Sequence, residues 1–391
     1  MPNNRVGSPE GARDRLFAAC AARRGLEDRA RALFARFGYG EVMTPVLERY
    51  ELFVNTGLPL PPESMCKLIG RDGRILAMRP DSTAPIARVA QARAGALAAP
   101  LRLHYIQDIF RTDGRHTGRP LETRQAGVEL IGSSGIKADL EILSLASEAM
   151  AALGAPDFRI ELGHAALFRA LADKLGATPE EREELRALIG QKNFAALGDR
   201  LPAFPNRPVG EAIERLCTLF GGWEVFSDVG TLGVEDADQG VSYLREIYGA
   251  LENAGLGGRI HLDFGLVHQM EYYTGLVFRG YVSGVGHAVL TGGRYDNLMG
   301  TLGAPLPATG FAIDLDALCE RESVPDAPPP DTLIHFSVEK LAGALRELGN
   351  RPSGRCVLSP CQTLEASLAM AAARGIKTLI VVDDDTREVS L

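Results

Sequence analysis

Arginine side chains are concentrated in one stretch of the chain, between two predicted strands. Residues 101–106 and 128–131 alternate apolar and polar side chains with β-branched and aromatic members, which predicts the two strands of a hairpin. The stretch between them contains four arginines: Arg111, Arg115, Arg119 and Arg124. Acidic and amide groups lie near its base: Asp113, Glu122, Gln125 and Glu129. Such arginines suit bidentate recognition of phosphate or carboxylate, although a solvated surface loop has the same composition.

Short motifs before and after this hairpin give it a family context. The hairpin reads FRTDGR at 110–115 and QAGVE at 125–129, RPDSTA stands at 79–84, and GGRYD stands at 292–296. Together with Tyr272-Tyr273 they resemble the motifs of histidyl-tRNA synthetase, a class II aminoacyl-tRNA synthetase, over roughly residues 11–320. The resemblance implies that these residues bind histidine: Asp81, Thr83, Arg111, Gln125, Glu129, Tyr272 and Tyr273.

Each of these motifs also has a structural interpretation. Asp81-Ser82-Thr83 has the composition of a helix N-cap. The two tyrosines could simply pack within a strand, and GGRYD could be a turn with a structural arginine. The joint occurrence of the motifs in this order favours the histidine-binding interpretation, and the capping role is compatible with it.

The positions that the resemblance assigns to ATP are altered. Ala317 stands where the family has a phosphate-binding arginine, and Asp314 replaces a glycine beside it. His268 replaces the arginine that faces the α-phosphate in the family. Thr123 stands where the family has an aromatic residue that stacks on adenine, and Leu121 stands where it has a second arginine. Losing one preorganised charge stabiliser typically lowers a rate by about 10²–10³. We therefore expect that adenylate formation is lost, and we predict no catalytic residue and no cofactor.

A histidyl-tRNA synthetase paralogue without aminoacylation resembles the regulatory subunits of ATP phosphoribosyltransferase. That resemblance implies a hetero-oligomer with the short-form catalytic subunit, required for its activity and for feedback inhibition by L-histidine in histidine biosynthesis. It also implies a dimer formed through the motif 1 region at 38–48, GYGEVMTPVLE. Two alternatives stay open: an active histidyl-tRNA synthetase, or another synthetase-like regulatory binding module.

The elements that position these motifs predict an α+β fold, a class II synthetase-like antiparallel sheet flanked by helices. The synthetase-like core is predicted at 11–164 and 256–322, separated by an all-helical insertion at 165–255 that carries Trp223 as a core residue. A proline-rich linker at 325–330 precedes a small α/β module at 331–391, predicted as strand, helix, strand, helix, strand.

Composition narrows the remaining choices. The chain has 391 residues and a formal net charge of −8, which gives no sign of a nucleic-acid surface. We expect neither a membrane span nor a signal peptide, because apolar runs are interrupted and the first residues are polar. The six cysteines have no metal-ligand spacing, so we expect reduced thiols in a cytoplasmic protein and no metal site.

Overall fold

The computed structural model describes residues 7–55, 61–93, 98–112, 120–267, 273–322, 330–351 and 354–391. The helices are α1 (Phe17–Arg36), α2 (Glu51–Val54), α3 (Thr83–Arg93), α4 (Ile136–Ala152), α5 (Ala165–Leu175), α6 (Pro179–Gly190), α7 (Phe194–Arg200), α8 (Arg207–Thr218), α9 (Val225–Val229), α10 (Glu235–Asn253), α11 (Leu298–Thr301), α12 (Leu315–Cys319), α13 (Leu341–Gly349) and α14 (Leu364–Ala373). The strands are β1 (Gly40–Glu41), β2 (Leu47–Arg49), β3 (Lys67–Ile69), β4 (Ile75–Met78), β5 (Leu101–Phe110), β6 (Glu122–Ile131), β7 (Arg159–His164), β8 (Phe220–Gly221), β9 (Ile260–Asp263), β10 (Leu276–Tyr281), β11 (Leu290–Arg294), β12 (Ala308–Asp314), β13 (Thr332–Phe336), β14 (Cys356–Leu358), β15 (Thr378–Val382) and β16 (Thr386–Ser390).

The chain divides into two compact units, 1–323 and 324–391. The predicted core segments and the helical insertion all fall in the first unit, and the predicted C-terminal module falls in the second. The finer boundaries at 164–165 and 255–256 stay predictions. Of the predicted proline-rich linker, residues 325–329 lie outside the described part of the chain.

A nine-stranded sheet runs through the first unit in the order β1-β5-β6-β12-β11-β10-β7-β9-β8. Neighbouring strands are antiparallel except in the pairs β1–β5 and β7–β9, which are parallel. Helices α1 and α4 bury Leu26, Phe34 and Ile142 in one core with Val128 of β6. This arrangement confirms the predicted α+β class, because the strands present one apolar stripe to helices with an apolar face.

The arginine-rich stretch is carried by the hairpin of β5 and β6. The two strands pair from Leu101 opposite Ile131 to Phe110 opposite Glu122, so each is longer than the sequence predicts. Their extension lacks apolar alternation, but Asp108 lies opposite Arg124 and the two side chains form an ion pair at 3.0 Å. Cross-strand pairs of opposite charge stabilise a sheet much as apolar pairs do. The hairpin tip at 113–119 lies outside the described residues.

The insertion predicted as all-helical contains α5 to α10 and also the two-residue strand β8, which pairs with β9, so it is not entirely helical. Its buried side chains, such as Leu171 and Leu244, belong to the same core as the central sheet. Trp223 does not: it is 45% exposed, and the prediction that it lies in the core is wrong. It occupies the turn between β8 and α9, where its ring packs edge-on against Phe226 and leaves its other side in solvent.

The second unit is a four-stranded sheet in the order β14-β13-β15-β16 with α13 and α14. The predicted strand and helix order is confirmed up to β15, and β16 is an additional strand that the sequence did not predict. Every residue of β16 is exposed, so it carries no apolar alternation to detect. Its antiparallel pairing with β15 follows the turn at the aspartate run 383–385.

Two further expectations concern helices and thiols. No helix in the described ranges is both long enough and apolar enough to cross a membrane. All six cysteines are free thiols in the structure.

Candidate functional site

Glu129 lies at the centre of the predicted amino-acid pocket. It extends from β6 and is 2% exposed. Its Oε1 accepts a hydrogen bond from Thr83 Oγ1 at 2.7 Å, and its Oε2 accepts one from the hydroxyl of Tyr295. Thr83 begins α3 and Tyr295 follows β11, so this carboxylate connects three separate elements of the fold. Two hydroxyl donors fix its orientation.

Asp81 and Arg111 lie near Thr83, one of the two hydrogen-bond donors to Glu129. Asp81 is 8% exposed, and its Oδ1 accepts a hydrogen bond from the backbone N–H of Ala84 at 3.1 Å, which confirms the predicted helix-capping role. The Nε of Arg111 donates to the carbonyl of Pro80 at 2.7 Å. The guanidinium is therefore held close to Asp81, on which its positive charge acts.

Two glycines leave room for the polar groups of the pocket. Gly310 of β12 lies opposite Glu129, and a methyl group at this position would overlap Glu129 Oε2. A methyl group at Gly127 would overlap the hydroxyl of its cross-strand neighbour Tyr105. Close approach of a side chain to a strand backbone is one reason for a glycine inside a strand.

Gln125 and Tyr273 are the other predicted residues that the structure describes. Gln125 is half-buried and, with Gly127 and Glu129, points to one face of β6, because alternate residues of a strand share a face. Tyr273 is 5% exposed, and its ring occupies the space that a side chain at Gly293 would need. Tyr272 and His268 lie outside the described residues.

Burial dominates the electrostatics of the pocket. It raises the pKa of Glu129 to about 8, while the hydrogen bonds from Tyr295 and Thr83 lower that pKa and the charge of Asp81 raises it further. Burial also raises the pKa of Asp81, and Arg111 partly offsets the increase. Two carboxyl groups removed from water favour a cationic partner, which an α-ammonium or imidazolium group would supply.

Arg294, the arginine of the GGRYD motif, stabilises the backbone next to Tyr295 through buried ion pairs. Arg294 is 6% exposed and pairs with both oxygens of Asp139, Nη2 to Oδ1 at 2.8 Å and Nε to Oδ2 at 3.1 Å. Its Nη1 also donates to Asp296 Oδ1 at 3.0 Å, and Asp139 accepts a hydrogen bond from the hydroxyl of Tyr243 on α10. The structural role considered for this arginine is confirmed, and its contacts fix the backbone that presents Tyr295.

A second group of charged residues lies between the hairpin and α1, on the face of β6 opposite to Gln125, Gly127 and Glu129. Arg124 donates from Nε to Glu27 Oε1 at 2.8 Å and from Nη1 to Asp108 Oδ2 at 3.0 Å. Asp108 Oδ1 also pairs with Arg23 Nη2 at 2.6 Å. The backbone N–H of Arg124 donates to Asp316 Oδ2 at 3.0 Å, which joins the hairpin to α12. We call these residues the ionic cluster: Arg15, Arg23, Glu27, Asp108, Arg124 and Asp316.

The position of the expected phosphate-binding arginine lies inside the apolar core. Ala317 is 7% exposed and packs in the core that also holds Leu315 and Leu318. Asp314 Oδ1 accepts a hydrogen bond from Ala317 N at 3.0 Å and so caps α12. Its carboxylate occupies the helix end at which an anion would otherwise bind. Leu121, at the other altered motif 2 position, donates its backbone N–H to the carbonyl of Gly11 at 2.8 Å.

The structure adds two residues that the sequence prediction missed. Tyr295 contacts Glu129 directly, and Tyr105 lies over Gly127 in the same pocket. Tyr295 belongs to GGRYD, so the motif itself was the available signal. Tyr105 belongs to a strand with apolar alternation, and nothing in that pattern distinguishes it from a packing residue. Within the described ranges, no group of three His, Cys, Asp or Glu side chains could hold a metal ion.

Comparison with known proteins places this site in a family. Residues 11–318 match the family model for histidyl-tRNA synthetase. A histidyl-tRNA synthetase from Nostoc sp. PCC 7120 has the same fold, with a TM-score of 0.75 over 98% of this chain and 96% of that one, at 19% identity. The fold is therefore that of the class II aminoacyl-tRNA synthetases, as predicted.

More similar relatives identify the branch within that class. The ATP phosphoribosyltransferase regulatory subunit of Clostridium kluyveri is 39% identical over 365 residues, which cover 89% of this chain and 93% of the relative. The crystal structure of an ATP phosphoribosyltransferase regulatory subunit/histidyl-tRNA synthetase from Bacillus halodurans has a TM-score of 0.85 at 27% identity, covering 98% of this chain and 99% of that one. The chain belongs to the family of ATP phosphoribosyltransferase regulatory subunits. The predicted family is confirmed, and the name of these relatives agrees with the predicted non-catalytic role.

Proposed function

We propose that this chain assembles with a short-form ATP phosphoribosyltransferase catalytic subunit, enables its activity, and makes that activity sensitive to L-histidine. In this proposal histidine binds in the pocket around Glu129, with the complex in the cytoplasm. Binding favours one arrangement of the complex and so lowers the partner's activity. Such coupling between sites is typically about 1–3 kcal/mol, and it requires that histidine bind the two arrangements with different affinity.

One observation carries the proposal: the residues expected to bind the amino acid are present around Glu129, whereas the residue expected to bind phosphate at α12 is replaced. Around Glu129 the carboxylate, its hydroxyl donors and the glycine that makes room for it are all present. At α12 the position for the phosphate-binding arginine is the buried Ala317, and Asp314 adds a carboxylate. A pocket that keeps amino-acid recognition without means to activate the amino acid supports a sensor.

Histidine binding to the isolated chain tests the pocket. Calorimetry should show L-histidine binding that weakens about 10–150-fold in Asp81→Ala and in Glu129→Ala, since hydrogen bonds to charged groups contribute roughly 1.5–3 kcal/mol. Glu122→Ala, an exposed change on the same strand, is the matched control and should bind as the unmodified chain does. Unchanged binding in both pocket variants would remove the assignment and direct the search to the subunit interface.

Reconstitution tests the partner. The chain should co-purify with a short-form catalytic subunit, raise its transferase activity, and make that activity inhibitable by histidine. Glu129→Ala should preserve activation and lose the inhibition. A catalytic subunit that neither binds this chain nor responds to it would overturn the proposed assembly.

We also propose that the chain dimerises through the motif 1 region. Met43, Val46 and Leu47 are 80%, 42% and 44% exposed, and Ile69 of the adjoining hairpin is 83% exposed. Exposed apolar side chains grouped in this way are typical of an interface. Sedimentation should show that Met43→Lys with Ile69→Lys reduces the mass to that of a monomer, whereas Val338→Lys in the second unit leaves it unchanged. A dimer that persists in the double variant contradicts this surface.

Histidyl-tRNA synthetase activity is the alternative that one comparison favours, because the Bacillus halodurans structure carries both names. Histidine-dependent exchange of pyrophosphate into ATP separates the two functions. We expect no exchange above background with this chain. Exchange at a rate typical of a synthetase would replace the regulatory proposal.

A further inference from the structure

A groove lies between α5 and α10. Its volume is about 360 Å³, which is at the small end of the range for metabolite sites. His164, Arg169, Asp236 and Tyr243 are among its lining residues. Gly240 allows the two helices to approach, because a methyl group there would press against His164 and Leu167.

The groove contains one positive and one negative side chain for which the described residues supply no ion-pair partner. Among the described residues, neither Arg169 nor Asp236 has an ion-pair partner within 4.0 Å, and both are exposed to the groove's solvent. Asp173, which also lines the groove, is already paired with Arg182. Burial, with the positive charge of Arg169, lowers the pKa of His164 to about 4, so this ring is neutral at pH 7.

More carboxylates lie along α10 beyond the groove. At Tyr243 the groove continues into a wider surface channel along α10, lined by Glu235, Asp238 and Glu246. Arg169 lies at the α5 side and the carboxylates lie along α10. A ligand with an anionic end and a cationic end can therefore satisfy both sides at once, whereas a simple anion would meet the carboxylates and a simple cation would meet Arg169.

We propose that this groove is a second ligand site, for a small zwitterion of the α-amino-acid class. Its carboxylate pairs with the Arg169 guanidinium, and its ammonium group lies against Asp236. This site is distinct from the pocket around Glu129 and does not depend on the function proposed for that pocket.

Two hydrogen bonds connect the groove to the region of the amino-acid pocket. Arg169 Nη2 donates to the backbone carbonyl of Tyr273, a predicted histidine-binding residue, at 2.9 Å. The hydroxyl of Tyr243 donates to Asp139, the partner of Arg294, whose chain neighbour Tyr295 contacts Glu129. A carboxylate bound at Arg169 competes for the guanidinium that holds Tyr273, so occupancy of the groove changes the affinity of the pocket, and the reverse holds by linkage.

The test uses the full chain with Glu129→Gln, which weakens binding in the first pocket. The proteinogenic L-amino acids, propionate and propylamine are titrated one at a time at millimolar concentration and followed by protein-observed NMR. We expect at least one amino acid to bind at least tenfold more tightly than propionate or propylamine. Arg169→Gln and Asp236→Asn, each added to this background, should weaken that binding at least tenfold. Asp228→Asn, an exposed change that does not line the groove, should not.

Every outcome decides the proposal. If no amino acid binds to the Glu129→Gln chain, or if binding is unaffected by both groove variants, the site does not exist. If propionate binds as tightly as the amino acids, the site is an anion site and the zwitterion assignment is wrong. Circular dichroism of each variant verifies that loss of binding is not loss of fold. Retention of histidine binding by Asp236→Asn in the chain with Glu129 intact separates this site from the first.

Discussion

The amino-acid pocket and the ionic cluster both include residues of the β5–β6 hairpin, but their charged groups are compensated differently. In the pocket, Glu129 and Asp81 are buried with hydroxyl, amide and guanidinium neighbours, and the pKa of Glu129 is raised to about 8. In the ionic cluster, Arg124 and Arg23 are each paired with carboxylates of their own chain. The first region keeps two carboxyl groups out of water with a single guanidinium beside them, whereas the arginines of the second are paired with carboxylates between the hairpin and α1. The difference indicates that one hairpin can hold a site with excess negative charge on one face and a neutralised structural cluster on the other.

The largest expected effect comes from closing the pocket. Gly310→Ala would force a methyl group into the space of Glu129 Oε2 and the carbonyl of Val128. We expect histidine binding to fall below detection by calorimetry and the free energy of unfolding to decrease by about 1–3 kcal/mol, as overpacking usually costs. Gly300→Ala is the control, because nothing lies within 4 Å of the added group. Normal histidine binding by Gly310→Ala would show that Glu129 is not at the binding surface.

The next effect is the pH dependence of histidine binding. If histidine requires the ionised carboxylate, the proton on Glu129 must leave on binding, because its pKa of about 8 lies above neutral pH. Affinity should then rise as pH rises, by up to about tenfold per unit, and level off above about pH 8. Calorimetry across this range measures the slope, and buffers of different ionisation enthalpy measure the released proton.

The control for the pH dependence removes the titrating group. In Glu129→Gln the remaining slope reports the ionisation of free histidine and of Asp81, which the unmodified chain shares. Equal slopes in the two proteins would mean that Glu129 does not change protonation when histidine binds.

A smaller effect is expected from the ionic cluster. Asp108→Asn removes the partner shared by Arg23 and Arg124, whose side chains are each 20% exposed. We expect the free energy of unfolding, measured with urea, to decrease by about 1–3 kcal/mol, with little change in histidine affinity. Arg13→Gln breaks the exposed pair with Glu320 and should change stability by less than about 0.5 kcal/mol. A large loss of histidine affinity in Asp108→Asn would mean that the two regions are not independent.

The smallest effect is the one expected of ATP. A ligand that binds the folded chain raises its melting temperature, and one that does not bind leaves it unchanged. Histidine should raise the melting temperature and ATP with magnesium should not, at equal millimolar concentration. A shift with ATP comparable to that with histidine would contradict the loss of the nucleotide site.

Sequence patterns predicted most of the fold because local and global signals agree over long elements. The hairpin strands β5 and β6, and the strands and helices from β13 to β15, lie where the apolar patterns place them. Helix α1 begins at Phe17, and before it Arg13 and Arg15 pair with Glu320 and Asp316. Such long-range ion pairs, like the polar strand β16 and the exposed Trp223, leave no periodic signal in a single sequence.

The candidate site was predictable to the extent that motifs carried it. Asp81, Thr83, Arg111 and Glu129 were taken from motif positions, and the structure brings them together. Tyr295, the second hydrogen-bond donor to Glu129, was not predicted, because the GGRYD motif alone does not say which of its side chains points inward. That choice depends on Arg294 being held by Asp139, which lies 155 positions away in the chain.

The burial of Ala317 has an evolutionary consequence. Restoring an arginine there would place a charge among Leu315 and Leu318, and Asp314 would still hold the helix end on which a phosphate would rest. A single Ala317→Arg change would therefore be expected to lower stability without creating a phosphate site, and Asp314 would have to change as well. Nucleotide binding at this helix is thus out of reach of any one-step substitution.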